Sequence, residues 1–418
     1  MKRKESKYEL IFKTPREVLQ PFFIELAIFG GYDELLYIYD KQKKDVEMYL
    51  SSANRIKLAR VGLKLFYDGK RIEKLLQKEY LLSQKFNIFL ATINLTKVKA
   101  TNKIWIKNIL KDYYHHFVEY SNIYRFTESF YSPLVDQTIK TFISENIQNK
   151  NLVNYFCSLL LNSSEKEKVT KKRKEILFSL KADNKFIQLC DSVRKIGKAK
   201  LAMRTKLDNY WDFLEKFLEK IAKLLMISSA QIKSLFYSEL LVILTSPKIS
   251  IDRNTLDKAN RRNEFFVAQK VSSKYIYYTG LNARNIANSV RPEIKENIAK
   301  INGDIASEGY AKGRVIILPV GISKEGKEKL KQKMTRMEYG DIVVAENIGP
   351  EMITVCHKAT AMVADEGGIN SHAAIISREL EIPSIVNTKI ATKVLCDGDL
   401  VEIDANKGII KILKKYVR

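Results

Sequence analysis

The feature that most constrains this chain is a change of hydrophobic period near residue 290. From about residue 80 to 245, apolar side chains recur at three- and four-residue steps. In "LDNYWDFLEKFLEKIAKLLMI", Tyr210, Phe213, Leu214, Phe217, Leu218, Ile221, Leu224 and Leu225 form one amphipathic stripe, the signature of a long helix packed on a core. Beyond residue 300 short apolar runs alternate with helical ones. "GRVIIL", "DIVVA", "AMVA" and "PSIVN" read as strands, and "KEGKEKLKQKM", "PEMITVCHKA", "SHAAIISREL" and "IATKVL" as helices. "DLVEID" and "GIIKIL" read as a closing hairpin through "ANKG". The expected fold class is α+β and multidomain: a mostly α-helical N-terminal region followed by a C-terminal α/β domain with parallel crossovers and an antiparallel end. Its expected divisions are a small α-rich segment with room for a few strands (1–80), a helical domain (81–295) and the α/β domain (296–418).

Charge follows the same division. Of the 72 Lys and Arg, 55 lie in residues 1–300 with 32 of the 48 Asp and Glu, so +23 of the net +24 belongs to the N-terminal part. Such an excess attracts polyanions or an acidic partner, but the lysines are scattered over helix faces rather than gathered into a nucleic-acid module. A Lys-rich solvated surface accounts for them, and nucleic-acid binding is not expected. No apolar run is long enough to span a bilayer, and "MKRKESKYEL" leads into no signal-peptide core, so a cytoplasmic protein with no membrane association is expected. Cys157, Cys190, Cys356 and Cys396 lie far apart, without metal-ligand spacing, so neither a metal site nor a disulfide framework is expected.

One stretch carries chemistry: "DEGGINSHAAIISREL", residues 365–380. The strand "TAMVA" runs into Asp365, Glu366, Gly367 and Gly368, and a helix starts at Asn370 or Ser371, with His372 in its first turn. Two glycines permit a backbone closed to other residues and leave no Cβ in the way of a bulky ligand. The helix start offers unpaired N–H groups and the positive end of the helix dipole, which suit a phosphate. Ser371 Oγ and the Asn370 amide add donors. A neutral imidazole is nucleophilic near pH 7, where a lysine is protonated and a serine needs a base. Local features alone nevertheless make a cap or surface role the commoner one for such a histidine. Asp365 and Glu366 read as acidic residues of an exposed turn, Arg378 as half of a surface ion pair, and His357 as structural. His115 and His116 sit in an aromatic helical region.

The ordered run from "INGDIASEGYAKGRVIIL" through "GDIVVAENIGPEMITVCHKATAMVADEGGINSHAAIISRELEIPSIVN" to "DGDLVEIDANKGIIKIL" resembles the mobile phosphohistidine domain of phosphoenolpyruvate-utilising enzymes, the group that includes phosphoenolpyruvate synthase, pyruvate phosphate dikinase and rifampicin phosphotransferase. The resemblance implies a swivelling β/β/α domain with His372 as the phosphorylated residue and Gly367, Gly368, Asn370 and Ser371 positioning the phosphate. Pro350 and Glu351 match a Pro-acidic helix start; Ile348 and Gly349 stand where many relatives have Thr-Ser. More loosely, "YSNIYRFTESFYSP", the helix ending "IAKLLMISSAQIKSLFYSELLVIL" and "RRNEFFVAQK" resemble the helical region before that domain in rifampicin phosphotransferase-like proteins. The resemblance implies that an ATP-grasp unit charges the histidine; the sequence holds no Gly-rich phosphate loop that would substitute for it, so the resemblance leads to the expectation of an ATP-grasp protein acting in trans, with ATP and Mg at that partner and no cofactor on this chain. A small molecule is the expected acceptor. The alternatives are a non-catalytic regulatory or scaffold relative and a basic nucleic-acid-binding protein. Gly280, Gly303 and Gly309 are candidate pivots.

Overall fold

A computed structural model describes residues 8–15, 34–42, 45–128, 131–149, 152–162, 165–247, 249–271, 274–291, 298–319, 324–368 and 371–416. The fold class is the expected one, helical in its N-terminal part with a C-terminal sheet domain, and the chain divides into two compact units.

The first unit comprises residues 1–54, 75–126 and 205–292. Its sheet is built from β1 (Tyr8–Pro15), β2 (Leu35–Asp40), β3 (Asp45–Ser51), β4 (Phe265–Val271) and β5 (Lys274–Thr279), in the order β1-β3-β2-β4-β5 with every neighbour antiparallel. Every residue of the central strand β2 is buried. Leu36 and Ile38 pack on one face with Tyr49, Phe265, Val267, Ala283 and Ala287. "FFVAQK", which reads as part of the helical region, is strand β4. The helix Arg253–Glu264 stops at Phe265, whose φ of −159° is extended, and the aromatic and β-branched residues that follow fit a pleated surface. Its partner β2 lies more than 220 residues earlier, with Ile38 opposite Val267, and no local pattern reports such a pairing. The amphipathic stripe is core as read: Tyr210, Leu214, Phe217, Leu218, Ile221 and Leu225 are buried. Arg291 closes the unit, donating to Asp40 at 3.0 Å and Glu47 at 2.8 Å, both of them buried.

The second unit comprises residues 55–74, 127–204 and 293–418. Its strands are β6 (Lys300–Asn302), β7 (Asp304–Ser307), β8 (Tyr310–Leu318), β9 (Ile342–Ala345), β10 (Ala361–Ala364), β11 (Ser384–Val386), β12 (Leu400–Asp404) and β13 (Ile409–Lys414). The order is β6-β13-β12-β8-β9-β10-β11-β7; β8 to β11 run parallel and the flanking pairs antiparallel. Parallel strands joined by helical crossovers are covered on both faces, and here the faces can be read residue by residue. Val343, Ala345, Met362 and Ala364 join one apolar cluster with Ala373, Ala374 and Ile376 of the helix His372–Leu380. Ile342, Val344, Ala361 and Val363 join the other with Ala391, Leu395, Val401 and Ile403. Strand β8 serves two partners: Tyr310–Arg314 pairs with β12 and Val315–Leu318 with β9. Gly313 stands at the changeover, where a Cβ would lie 2.3 Å from the Gly340 carbonyl. Gly303 and Gly309 stand at close approaches, an added Cβ meeting Ile385 and Pro383 at 2.6 Å. Among the described residues no helix is long and apolar enough to cross a membrane.

Candidate functional site

The stretch 365–380 lies wholly in the second unit. Strand β10 ends at Ala364, and Asp365 turns inward as a structural anchor. Its carboxylate accepts from Thr388 Oγ1 at 2.6 Å, from the Ala391 N–H at 2.5 Å, from the Thr392 N–H at 3.1 Å and from Thr392 Oγ1. It thereby satisfies the free N–H groups at the start of the helix Ala391–Val394. The sequence reading placed Asp365 in an exposed turn, but it is buried, and four donors hold it as a cap. Glu366, half-buried, accepts from Asn347 Nδ2 at 3.2 Å.

Gly367 has φ +148°, and a Cβ there would meet Val386 Cβ at 2.7 Å and Ser371 Oγ at 3.0 Å. Only glycine fits this turn. Gly368 contributes its carbonyl, which accepts from the Ser371 N–H at 2.9 Å. Ile369 and Asn370 lie outside the described residues. Ser371 is the N-cap, its Oγ accepting from the Ala374 N–H at 3.2 Å. That hydroxyl is engaged in capping, a role available to any serine in this place.

His372 is the first residue of the helix and is 4 % exposed. Its ring is hydrogen-bonded to the backbone of Lys200, while Nε2 has no partner among the described residues. Burial pushes the imidazole well below its ordinary range, and Lys200 and Arg204 push it in the same direction, more than offsetting the Lys200 backbone bond. The ring is therefore neutral at pH 7, and Nε2 presents a lone pair. Lys200 is itself buried, its ammonium donating to the Thr127 carbonyl at 2.8 Å and facing Glu128 Oε2 at 3.8 Å. Burial lowers its pKa, while Glu128 and Glu366 act in the opposite sense.

The other candidates stand apart from this group. Arg378 is buried rather than at the surface, its pKa lowered to about 10 by burial against the favourable charges of Asp136 and Glu379. The neighbouring chain of helix Val153–Leu161 reaches it through Asn162 Nδ2, which donates to the Arg378 carbonyl at 3.2 Å. Ile348 is buried in the core and His357 is exposed. In the first unit, His115 pairs with Glu119 at 3.4 Å and His116 stacks on Phe86 with ring centres 5.4 Å apart. Cys157, Cys190 and Cys356 are buried and Cys396 is exposed, and the described residues hold no cluster of metal-ligating side chains. Sequence reasoning missed Lys200 and Arg204. They sit about 170 residues before His372, in a run, "KIGKAKLAMRTK", whose many cations gave no cue that Lys200 is buried and that the charges of Lys200 and Arg204 act on the ring.

A strand, a glycine turn and a helix that opens on a buried histidine thus stand together at this end of the sheet. In comparison with known proteins, residues 337–408 match the family described as "PEP-utilising enzyme, mobile domain". Among the relatives, the probable phosphoenolpyruvate synthase of Archaeoglobus fulgidus is 38% identical over 128 residues, 29% of this chain and 16% of its own length. The phosphoenolpyruvate synthase of Aeropyrum pernix is 39% identical over 117 residues, 28% of this chain and 13% of its own. The uncharacterized phosphotransferase YvkC of Bacillus subtilis is 34% identical over 133 residues, 32% of this chain and 15% of its own. The chain thus spans about a sixth or less of the length of these relatives.

Proposed function

We propose that this chain is a phosphotransferase component that carries a phosphoryl group on Nε2 of His372. The observation that carries the reading is a neutral, buried imidazole at a helix start with one nitrogen hydrogen-bonded to backbone and the other unengaged. In the charging step the Nε2 lone pair forms the N–P bond as the bond from phosphorus to the donor oxygen breaks, that oxygen leaving with the electron pair. In the second step an acceptor nucleophile attacks phosphorus and the N–P electrons return to Nε2. Phosphoryl transfer depends on positioning and electrostatics more than on covalent assistance by the protein, so a rigid turn and one ring suffice for this domain's part. The donor is a nucleotide-binding ATP-grasp protein acting in trans, which holds ATP and Mg2+, and the acceptor is a small molecule. The names of the relatives, phosphoenolpyruvate synthase and phosphotransferase, support this class of reaction.

The test is incubation of the full chain with its ATP-grasp partner and ATP labelled at the β or γ phosphorus. An acid-labile, base-stable label on the wild type that is absent from His372→Ala is the expected result. A label that persists in His372→Ala removes the assignment.

A further inference from the structure

We infer that a small organic anion, an apolar body carrying one acidic group, binds in the second unit, in an open cavity of about 440 Å³ between β8, the helix Lys324–Thr335 and residues 395–397. None of the residues that line it belongs to the group around His372.

The cavity begins where β8 changes partners. Arg314 is the last residue of β8 paired with β12 and Val315 the first paired with β9, so among the described residues the second half of β8 has a strand on one side only. Residues 397–399 cover the start of its other edge. The Gly398 N–H donates to the Val315 carbonyl and the Val315 N–H to the Asp399 carbonyl, both at 2.9 Å, and the Ile317 N–H donates to Asp397 Oδ1 at 2.7 Å. Past them side chains line the edge, with Ile317, Pro319 and Leu395 as an apolar wall.

The facing wall is helical. Leu330, Met334 and Met337 pack into the core of the unit, and Lys329, Lys333 and Arg336, each one residue earlier and so on a neighbouring face, line the cavity. Three cations stand against one carboxylate, Asp397, and three less one leaves a net charge of +2. That carboxylate is engaged, Oδ1 by the Ile317 N–H and Oδ2 by the Lys333 ammonium. Arg336 is exposed and has no side-chain hydrogen bond or ion pair among the described residues, while Lys329 has other contacts and adds positive potential rather than a free donor. An apolar wall by itself accepts any small apolar molecule, and the charge selects among them. A cation is repelled, whereas a planar guanidinium meets two oxygens of a carboxylate, sulfonate or phosphate at once. The volume falls within the roughly 300–1,000 Å³ of small-molecule sites. Burial of the body supplies affinity, and Arg336 the preference for an acid.

Cys396 reports occupancy, because it lines the cavity and is exposed, while Cys157, Cys190 and Cys356 are buried. The full chain is titrated with anilinonaphthalene sulfonate and with its uncharged counterpart phenylnaphthylamine, followed by dye fluorescence and by the rate at which iodoacetamide alkylates Cys396. The sulfonate binds saturably and slows alkylation in step with occupancy. Arg336→Glu weakens the sulfonate by at least about tenfold and the neutral amine by less than about twofold. Alkylation at an unchanged rate under saturating sulfonate puts the dye elsewhere and overturns the site. Equal losses of both probes in Arg336→Glu overturn the choice of an anion. Arg336 and Lys329 are both exposed, so neither substitution opens the core, and Lys329→Glu, read independently, weakens the sulfonate in the same direction.

Discussion

Gly367→Ala probes the turn that presents His372. The glycine has φ +148°, where an L side chain costs roughly 1–3 kcal/mol. Its added Cβ would lie 2.7 Å from Val386 Cβ, an atom of a buried strand with no freedom to withdraw. It would also lie 3.0 Å from Ser371 Oγ, which caps the helix through the Ala374 N–H. Displacing that hydroxyl forfeits a cap worth about 1 kcal/mol. The two contributions bring the expected destabilisation to about 2–4 kcal/mol. Gly340→Ala is the control: its φ of +95° imposes backbone strain, but nothing lies within 4 Å of the new Cβ. Urea unfolding of both variants as full chains, with hydrogen exchange over residues 371–380, separates strain from collision. Gly367→Ala unfolds at lower urea than Gly340→Ala and shows faster exchange in the first turn of the His372 helix. Equal midpoints and unchanged exchange would refute the claim that this turn is packed too tightly for a side chain.

Two further outcomes follow from the charges. His372 has a folded-state pKa well below its ordinary value, because burial and the cations Lys200 and Arg204 all favour the neutral ring. The unfolded chain takes up this proton first, so stability is fully present above about pH 6.5 and falls as pH drops toward the folded pKa, by at most about 1.4 kcal/mol per pH unit. Comparing Tm from pH 5 to 8 for the wild type and His372→Gln isolates that slope, and identical profiles would count against a neutral buried ring. In the first unit, Arg291→Met leaves the buried carboxylates of Asp40 and Glu47 without their shared cation. A loss of roughly 3–5 kcal/mol in chemical denaturation is expected, the usual consequence of removing one side of a buried pair; a loss below about 1 kcal/mol would mean that the pair is solvated.

Much of the second unit was legible because its pattern is local. Strands of four or five apolar residues, punctuated by glycine and separated by amphipathic turns of helix, reveal themselves within a window of ten residues. The strands β8 to β13 lie where the alternation puts them, and Ser371 before His372 marks the helix start. The first unit yielded less. Its sheet joins residues 35–51 to residues 265–279, and "FFVAQK" suits a helix face as well as a buried strand until the partner Leu35–Asp40 is known.

The candidate site divides in the same way. Local sequence determined the glycine turn, the serine cap and the histidine at the first helical position, because each depends on backbone geometry within a few residues. Whether that histidine is charged and which of its nitrogens is engaged depend on burial and on Lys200 and Arg204, brought from a distant helix. Tertiary structure alone decided these points. An imidazole's ionisation is set by how much water it loses and by the charges that replace that water, and neither is a property of neighbouring residues in the chain.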